Sequence, residues 1–186
     1  MMRGKRRLVP ILAAPVAALL LASGVALAAT VRCDGEGTCF GTKRDDLMVG
    51  TEGRDIMGAL AGEDATFGKA GADRIDGGLG DDELRGGAGR DYLAGEGSGF
   101  FAGGNDVLRG GRGDDSLQGG YGAETLHGGR GDDFLSVDGQ ETPDRLYCGE
   151  GHDRYDVRGR GAGEDSGDVV FVAEDCEEEV DIPSTF

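Results

Sequence analysis

Twelve acidic residues fall in register along this chain: Asp46, Asp55, Asp64, Asp73, Asp82, Asp91, Asp106, Asp115, Glu124, Asp133, Asp144 and Asp153. Over most of the run they are nine residues apart, and each closes a glycine-rich stretch. The clearest copies are GGLGDDELR at 77–85 and GGAGRDYLA at 86–94. Both follow G-G-x-G-x-D-x-U-x, with U a large apolar residue. Glycine lets the backbone adopt positive φ and pass close to an ion. Aspartate supplies the hard anionic oxygen that Ca²⁺ prefers. Periodic carboxylates in glycine turns are ligand chemistry. No isolated carboxylate pair points to hydrolysis, and the pattern of an EF-hand loop is absent.

The x-U-x triplet must position those carboxylates. It reads as a minimal strand with one apolar side chain pointing inward. That eighth position carries Met48, Met57, Thr66, Ile75, Leu84, Leu93, Leu108, Leu117, Leu126, Leu135, Leu146 and Tyr155. Units start at Gly41, Gly50, Ala59, Gly68, Gly77 and Gly86, unbroken to Ala94. An insertion is read at Gly95–Phe100, and units resume at Phe101, Gly110, Gly119 and Gly128. Val137-Asp138 forms a shorter insertion before units at Gly139 and Cys148, twelve units in all. Agreement at two positions across all of them marks a repeat fold.

Composition agrees. The 186 residues suggest one domain. The 38 glycines are nearly three times the usual share of about 7%. No strict glycine triplet suggests collagen, and only 4 prolines occur. The net charge of −17 argues against nucleic acid and anionic membranes as partners and favours cations.

These residues give the chain a family resemblance. It resembles the hemolysin-type (RTX) calcium-binding repeat proteins over residues 41–156. The resemblance implies an all-β parallel β-roll of about six coils, two units per coil. It further implies several calcium ions between turns stacked on the same edge, bound by aspartates of unit n and unit n+2 with backbone carbonyls. On that geometry the even units present Asp55, Asp73, Asp91, Asp115, Asp133 and Asp153, each with its fourth-position glycine, and would hold about five ions. The odd edge, with Asp46, Asp64, Asp82 and Asp106, is expected to be weaker. There Arg44 and Thr142 replace glycine, Glu124 replaces aspartate and the longer insertion intervenes. This sorting requires that the insertion not exchange the edges. Two facing rows of the eighth-position residues would form a thin core. One apolar side chain in nine residues is too little to offset the ordering entropy of the others. The ion-free chain is therefore expected to be largely disordered and to fold with calcium.

The ends differ from the array. Arg3, Lys5, Arg6 and Arg7 precede an apolar run from Leu8 to Val25 and an A-x-A site at Ala26-Leu27-Ala28. This reads as a secretory signal peptide, 1–28, by the general or the twin-arginine route. Its removal takes four basic side chains and no acids, moving the charge from −17 to −21. Four cysteines in an exported chain suggest disulfides, with three possible connectivities. The preferred pairing is Cys33–Cys39 and Cys148–Cys176, one clip at each end. A four-cysteine metal site would have to draw ligands from opposite ends. Residues 29–40 are expected to form an N-terminal cap and 157–186 a C-terminal cap and acidic tail. Val169–Ala173 is read as a strand over the open end. Toxin-family export signals lie at the C-terminus, so the N-terminal peptide departs from that pattern. No separate large domain is expected beside the repeats, and the family's toxic activities are not expected to carry over.

Other motifs are by-products. Arg112-Gly113-Asp114 and Arg130-Gly131-Asp132 spell RGD, but at positions that the repeat itself dictates. His127 and His152 have no triad partners nearby in sequence. The expectation is a non-enzymatic, monomeric, secreted calcium-binding protein, extracellular or associated with the cell wall, with no membrane contact after cleavage. One alternative is an adhesion or matrix spacer meeting a cell-surface or polysaccharide partner through Phe100 and Phe101. Another is an accessory domain of a secreted hydrolase.

Overall fold

The computed structural model describes residues 29–34, 38–96, 103–138, 142–158, 170–173, 175–176 and 178–179. The expected signal peptide, Phe100 and Phe101, and the tail beyond 179 lie outside these residues. Among the described residues, sixteen strands alternate between two parallel sheets. In one sheet run β1 (Ala29–Arg32), β3 (Asp46–Val49), β5 (Ala65–Ala70), β7 (Glu83–Ala88), β9 (Val107–Arg112), β11 (Thr125–Arg130), β13 (Asp144–Glu150) and β15 (Val170–Val172). In the other run β2 (Thr38–Phe40), β4 (Ile56–Ala61), β6 (Arg74–Leu79), β8 (Tyr92–Ala94), β10 (Ser116–Gln118), β12 (Phe134–Asp138), β14 (Arg154–Arg158) and β16 (Glu178–Glu179). Each strand pairs in sequence order with the strand two ahead. This is the parallel β-roll.

The eighth-position residues stack in register: Thr66 on Leu84 on Leu108 on Leu126 on Leu146 in the first sheet, Met57 on Ile75 and Leu93 on Leu117 in the second. They are fully buried, except that Tyr155 at the end of its row is half-buried. Ala59, Val137 and Val157 join the core from the first position of the repeat, where glycine is usual. The hydrophobic line is thus thicker than the eighth position alone supplies.

The break in periodicity falls elsewhere than at Gly95–Phe100. The Gly95 amide donates to the Gln118 carbonyl, as Gly50 does to Phe67 and Gly119 to Ser136. Gly95, not Phe101, therefore holds the first position of its unit, and the extra residues enter between Glu96 and Gly103. The second break behaves alike. Val137 lies within β12, in register with Val157, so the extra residues follow Asp138. Both insertions open inside a turn, after its second position. A turn can bulge outward without shifting the strands, and the two edges are not exchanged.

The ends are more than caps. β1 and β2 form a full rung ahead of the first repeat, with Val31 level with Met48 and Cys39 level with Met57. β15 extends its sheet beside β13 rather than lying across the core. The disulfides are Cys33–Cys39 and Cys148–Cys176, with Cα separations of 5.6 and 5.1 Å. They pack against the two ends of the core.

Candidate metal-binding edges

The sixth-position acids line two ladders, one on each edge of the roll. On the even edge the Asp55 amide donates to Asp73 Oδ1 at 2.8 Å, Asp73 to Asp91, Asp91 to Asp115, Asp115 to Asp133, and Asp133 to Asp153. On the odd edge the Asp46 amide donates to Asp64, Asp64 to Asp82, Asp82 to Asp106, Asp106 to Glu124, and Glu124 to Asp144. The pairing of unit n with unit n+2 holds throughout. It spans 24 residues across the first insertion and 20 across the second, against 18 elsewhere. All ten aspartates singled out from the sequence stand on these ladders.

Each carboxylate is buried and only half used. One oxygen meets the amide of the preceding rung. The other, Oδ2 in Asp64, Asp73, Asp82, Asp91, Asp106, Asp115 and Asp133, has no hydrogen-bond partner. At the first rung the roles invert. Asp46 and Asp55 accept from Thr42 and Thr51 through Oδ2, and Oδ1 is left over. A buried anionic oxygen without a donor is costly. Repeated along both edges, it describes a site that a cation completes. The first-position glycines make room for these oxygens. A Cβ added at Gly77 would lie 2.5 Å from the unpartnered Asp82 Oδ2 and 2.6 Å from the Gly95 carbonyl.

Burial holds these acids far above the usual carboxylate range. Desolvation raises Asp73 and Asp64 to about 6, Asp115, Asp133 and Asp106 to about 7, and Asp82 to about 8, with neighbouring acids adding to it. Glu124, fully buried beside Asp106 and Asp144, is pushed to about 9. Among the described residues no three His, Cys, Asp or Glu side chains converge on one point. The carboxylates rise as single files, so any ion between rungs must draw further oxygens from backbone carbonyls and water. Such mixed, flexible oxygen sets suit Ca²⁺ better than the tighter octahedron of Mg²⁺.

Three features were not read from the sequence. Glu96, nine-tenths buried with Oε1 unpartnered, enters the odd edge from the second position of its unit, beside the insertion, and faces the acids Asp106 and Glu124. Its only signal was its place directly after Gly95. Thr142, in place of glycine, donates its hydroxyl to the Gly122 carbonyl at 2.5 Å and so occupies a turn oxygen on the odd edge. An outer ladder at the fifth position runs in the opposite sense: the amides of Glu63, Asn105, Asp132 and His152 donate back to Asp45, Asp81, Asp114 and Asp132 of the preceding rung. The Asp-Asp pairs at 45–46, 81–82, 114–115 and 132–133 were its trace.

The RTX calcium-binding nonapeptide repeat matches in segments 40–75, 67–98 and 102–135, together half of the chain. No curated protein and no solved structure matches. The matched segments hold ten of the twelve ladder acids, and their leftover oxygens fit a hard cation. The chain belongs to the RTX calcium-binding nonapeptide-repeat family.

Proposed function

We propose that this protein is secreted and non-enzymatic, and that its repeat array folds on binding Ca²⁺ between stacked turns. The observation that carries the reading is the pair of buried ladders with unpartnered carboxylate oxygens. On the even edge Asp55, Asp73, Asp91, Asp115, Asp133 and Asp153 would hold about five ions. On the odd edge Asp46, Asp64, Asp82 and Asp106 would hold fewer, because Thr142 claims a turn carbonyl and Glu124 carries a longer side chain. Bound calcium would neutralise the files of like charge and complete the coordination that the amides leave open. Metal binding then carries folding free energy. Working affinity would lie near the millimolar range of extracellular modules. Secretion is supported by the sequence of residues 1–28 and by two disulfides, which persist in oxidising compartments.

Far-UV circular dichroism during calcium titration, with magnesium as control, tests this. The expected result is a calcium-specific change from coil to β signal. A chain already folded in chelator would show that core and disulfides suffice, and would remove calcium from the folding mechanism.

A further inference from the structure

Three departures from the repeat coincide at one place on the odd edge. Glu96 stands at the second position of its unit, where the template has glycine. The extra residues that stretch this rung spacing from 18 to 24 open directly behind it. One coil further on, Glu124 is the only glutamate among the twelve ladder acids. The nonapeptide accounts for none of the three. Together they line one gap, between the turn that ends at Asp106 and the turn Gly119–Glu124.

The gap is rich in acceptors and poor in donors. The Tyr121 amide holds the Glu96 carboxylate, and Glu96 Oε1 is left buried without a partner. That oxygen faces another acceptor: a Cβ added at Gly103 would collide with both Glu96 Oε1 and the Tyr121 carbonyl. Glu124, fully buried, spends Oε2 on the Asp106 amide at 3.0 Å and leaves Oε1 unpartnered. A Cβ added at Gly122 would lie 2.7 Å from that oxygen and collide with the Gly104 carbonyl. The two contacts are neighbours, because Gly103-Gly104 and Tyr121-Gly122 are consecutive pairs in facing turns. The repeat arranges its oxygens differently. There a first-position glycine faces an aspartate Oδ2 and the first-position carbonyl one coil on, as Gly95 still faces Asp106 and Gly119. At Gly119 that arrangement is missing. The Glu124 Cγ lies 2.8 Å from its Cβ direction instead, and the longer side chain carries its free oxygen on to Gly122.

We infer that Glu96 and Glu124, with the carbonyls of Tyr121 and Gly104, form one calcium site of a kind that the nonapeptide does not encode, and that this site fills before the repeat sites. The inference rests on the calcium reading above. Buried carboxylate oxygens set against carbonyls repel them until a cation stands between. An all-oxygen set of side chains and backbone at irregular spacing suits Ca²⁺. Order of filling follows from charge. With Asp106 alongside, the gap gathers three carboxylates where two stacked units ordinarily bring two, and Asp138 adds to the field on Glu96. Calcium affinity rises with the number of charged ligands and with the rigidity of the site. Both glutamates are held in place by burial and by an amide before the ion arrives.

Calcium titration of the full chain against a chromophoric chelator, followed beside the far-UV signal, tests the assignment. The expected isotherm has one ion bound at least about tenfold more tightly than the rest. In Glu96→Gln that ion is lost and the remainder of the isotherm is kept. The carboxamide still accepts from the Tyr121 amide and can donate to the Tyr121 carbonyl, so the ion-free chain is not weakened. Glu124→Asp, which restores the template's acid, loses the tight ion as well. Identical isotherms for the wild type and Glu96→Gln would overturn the inference and leave the folding reading standing. Loss of every ion in Glu96→Gln, or a tight ion retained in Glu124→Asp, would overturn it too. A chain already folded in chelator removes calcium from the folding mechanism, and the tight ion is then still counted in the isotherm. A chain that binds no calcium overturns both readings.

Discussion

At the residue scale, each sixth-position acid serves two masters. One oxygen holds an amide of its own fold and the other is left for an ion. Asp91→Asn separates these roles. The amide oxygen can still accept from Asp73, but the buried charge is gone. The ion-free fold should become more stable, and calcium affinity at that rung should fall at least about tenfold, measured by calcium titration beside thermal melts in chelator. Loss of stability in both states would show that the aspartate is purely structural. A second residue effect concerns backbone strain. At the second repeat position Leu60 and Lys69 take left-handed φ of 84° and 85°, the conformation that glycine takes there at Gly78, Gly87, Gly111, Gly120, Gly129 and Gly149. A non-glycine residue there costs about 1–2 kcal/mol, partly offset by glycine's own entropy. Leu60→Gly should stabilise the roll by about 0.5–1 kcal/mol, read as a raised melting temperature. Which residues were legible follows from the same periodicity. The sixth and eighth positions announced themselves because one side chain type serves one job in every unit. Gly95 did not, because a break between two glycine-rich stretches can be placed at several points, and only the amide to Gln118 fixes it. Glu96 was invisible for the same reason.

At the element scale, burial sets how the edge ladders respond to pH. The metal-free values of about 6 to 8 at Asp64, Asp73, Asp82, Asp106, Asp115 and Asp133 lie above the ordinary carboxylate value near 4. The folded state therefore binds more protons than the unfolded chain between those limits. Stability of the ion-free roll is fully present below about pH 4 and is lost as pH rises through about 6 to 8. Metal-stripped protein should thus show more β signal at pH 5 than at pH 8. The calcium midpoint should move to higher concentration on acidification from pH 8 to pH 6, because ions must displace protons. A midpoint independent of pH would contradict the assignment of these carboxylates as ligands. The terminal strands depend on a different device. Cys148–Cys176 ties the short β15 and β16 to the roll over a separation of 28 residues. Replacing both cysteines with serine should remove about 3–4 kcal/mol of stability. Amide exchange should then rise in β13 to β16 and leave β3 to β9 protected.

For the whole molecule, the two-sheet architecture and both disulfides were legible, because a nine-residue period and an even cysteine count leave few arrangements. The extra rung at the N-terminus was not. Val31 and Cys39 occupy core positions without the sixth-position acid that marks a repeat, where the sequence has Ala29 and Gly37, and only their register with Met48 and Met57 shows it. The placement of the insertions yields a global prediction. Excising residues 97–102 would join Gly95-Glu96 to Gly103-Gly104-Asn105-Asp106, which restores a regular turn. The shortened chain should keep its calcium-dependent β signal unchanged. Loss of that signal would mean that the inserted segment holds the roll together.

The pairing of every rung with the one two units ahead also governs how such a chain can change in length over generations. Duplicating two nonapeptides inserts one whole coil and leaves every downstream residue on its own sheet. Duplicating one would carry everything after it to the opposite face. Arg112 and Arg130 would part from Arg85 and Arg109, and each edge file would be spliced onto the other. Growth along the axis is therefore quantised in steps of eighteen residues, whereas turns accept six or two extra residues without consequence for the strands. A gene encoding this fold can slip freely by pairs of repeats or by loop codons, and selection removes the single-repeat copies in between.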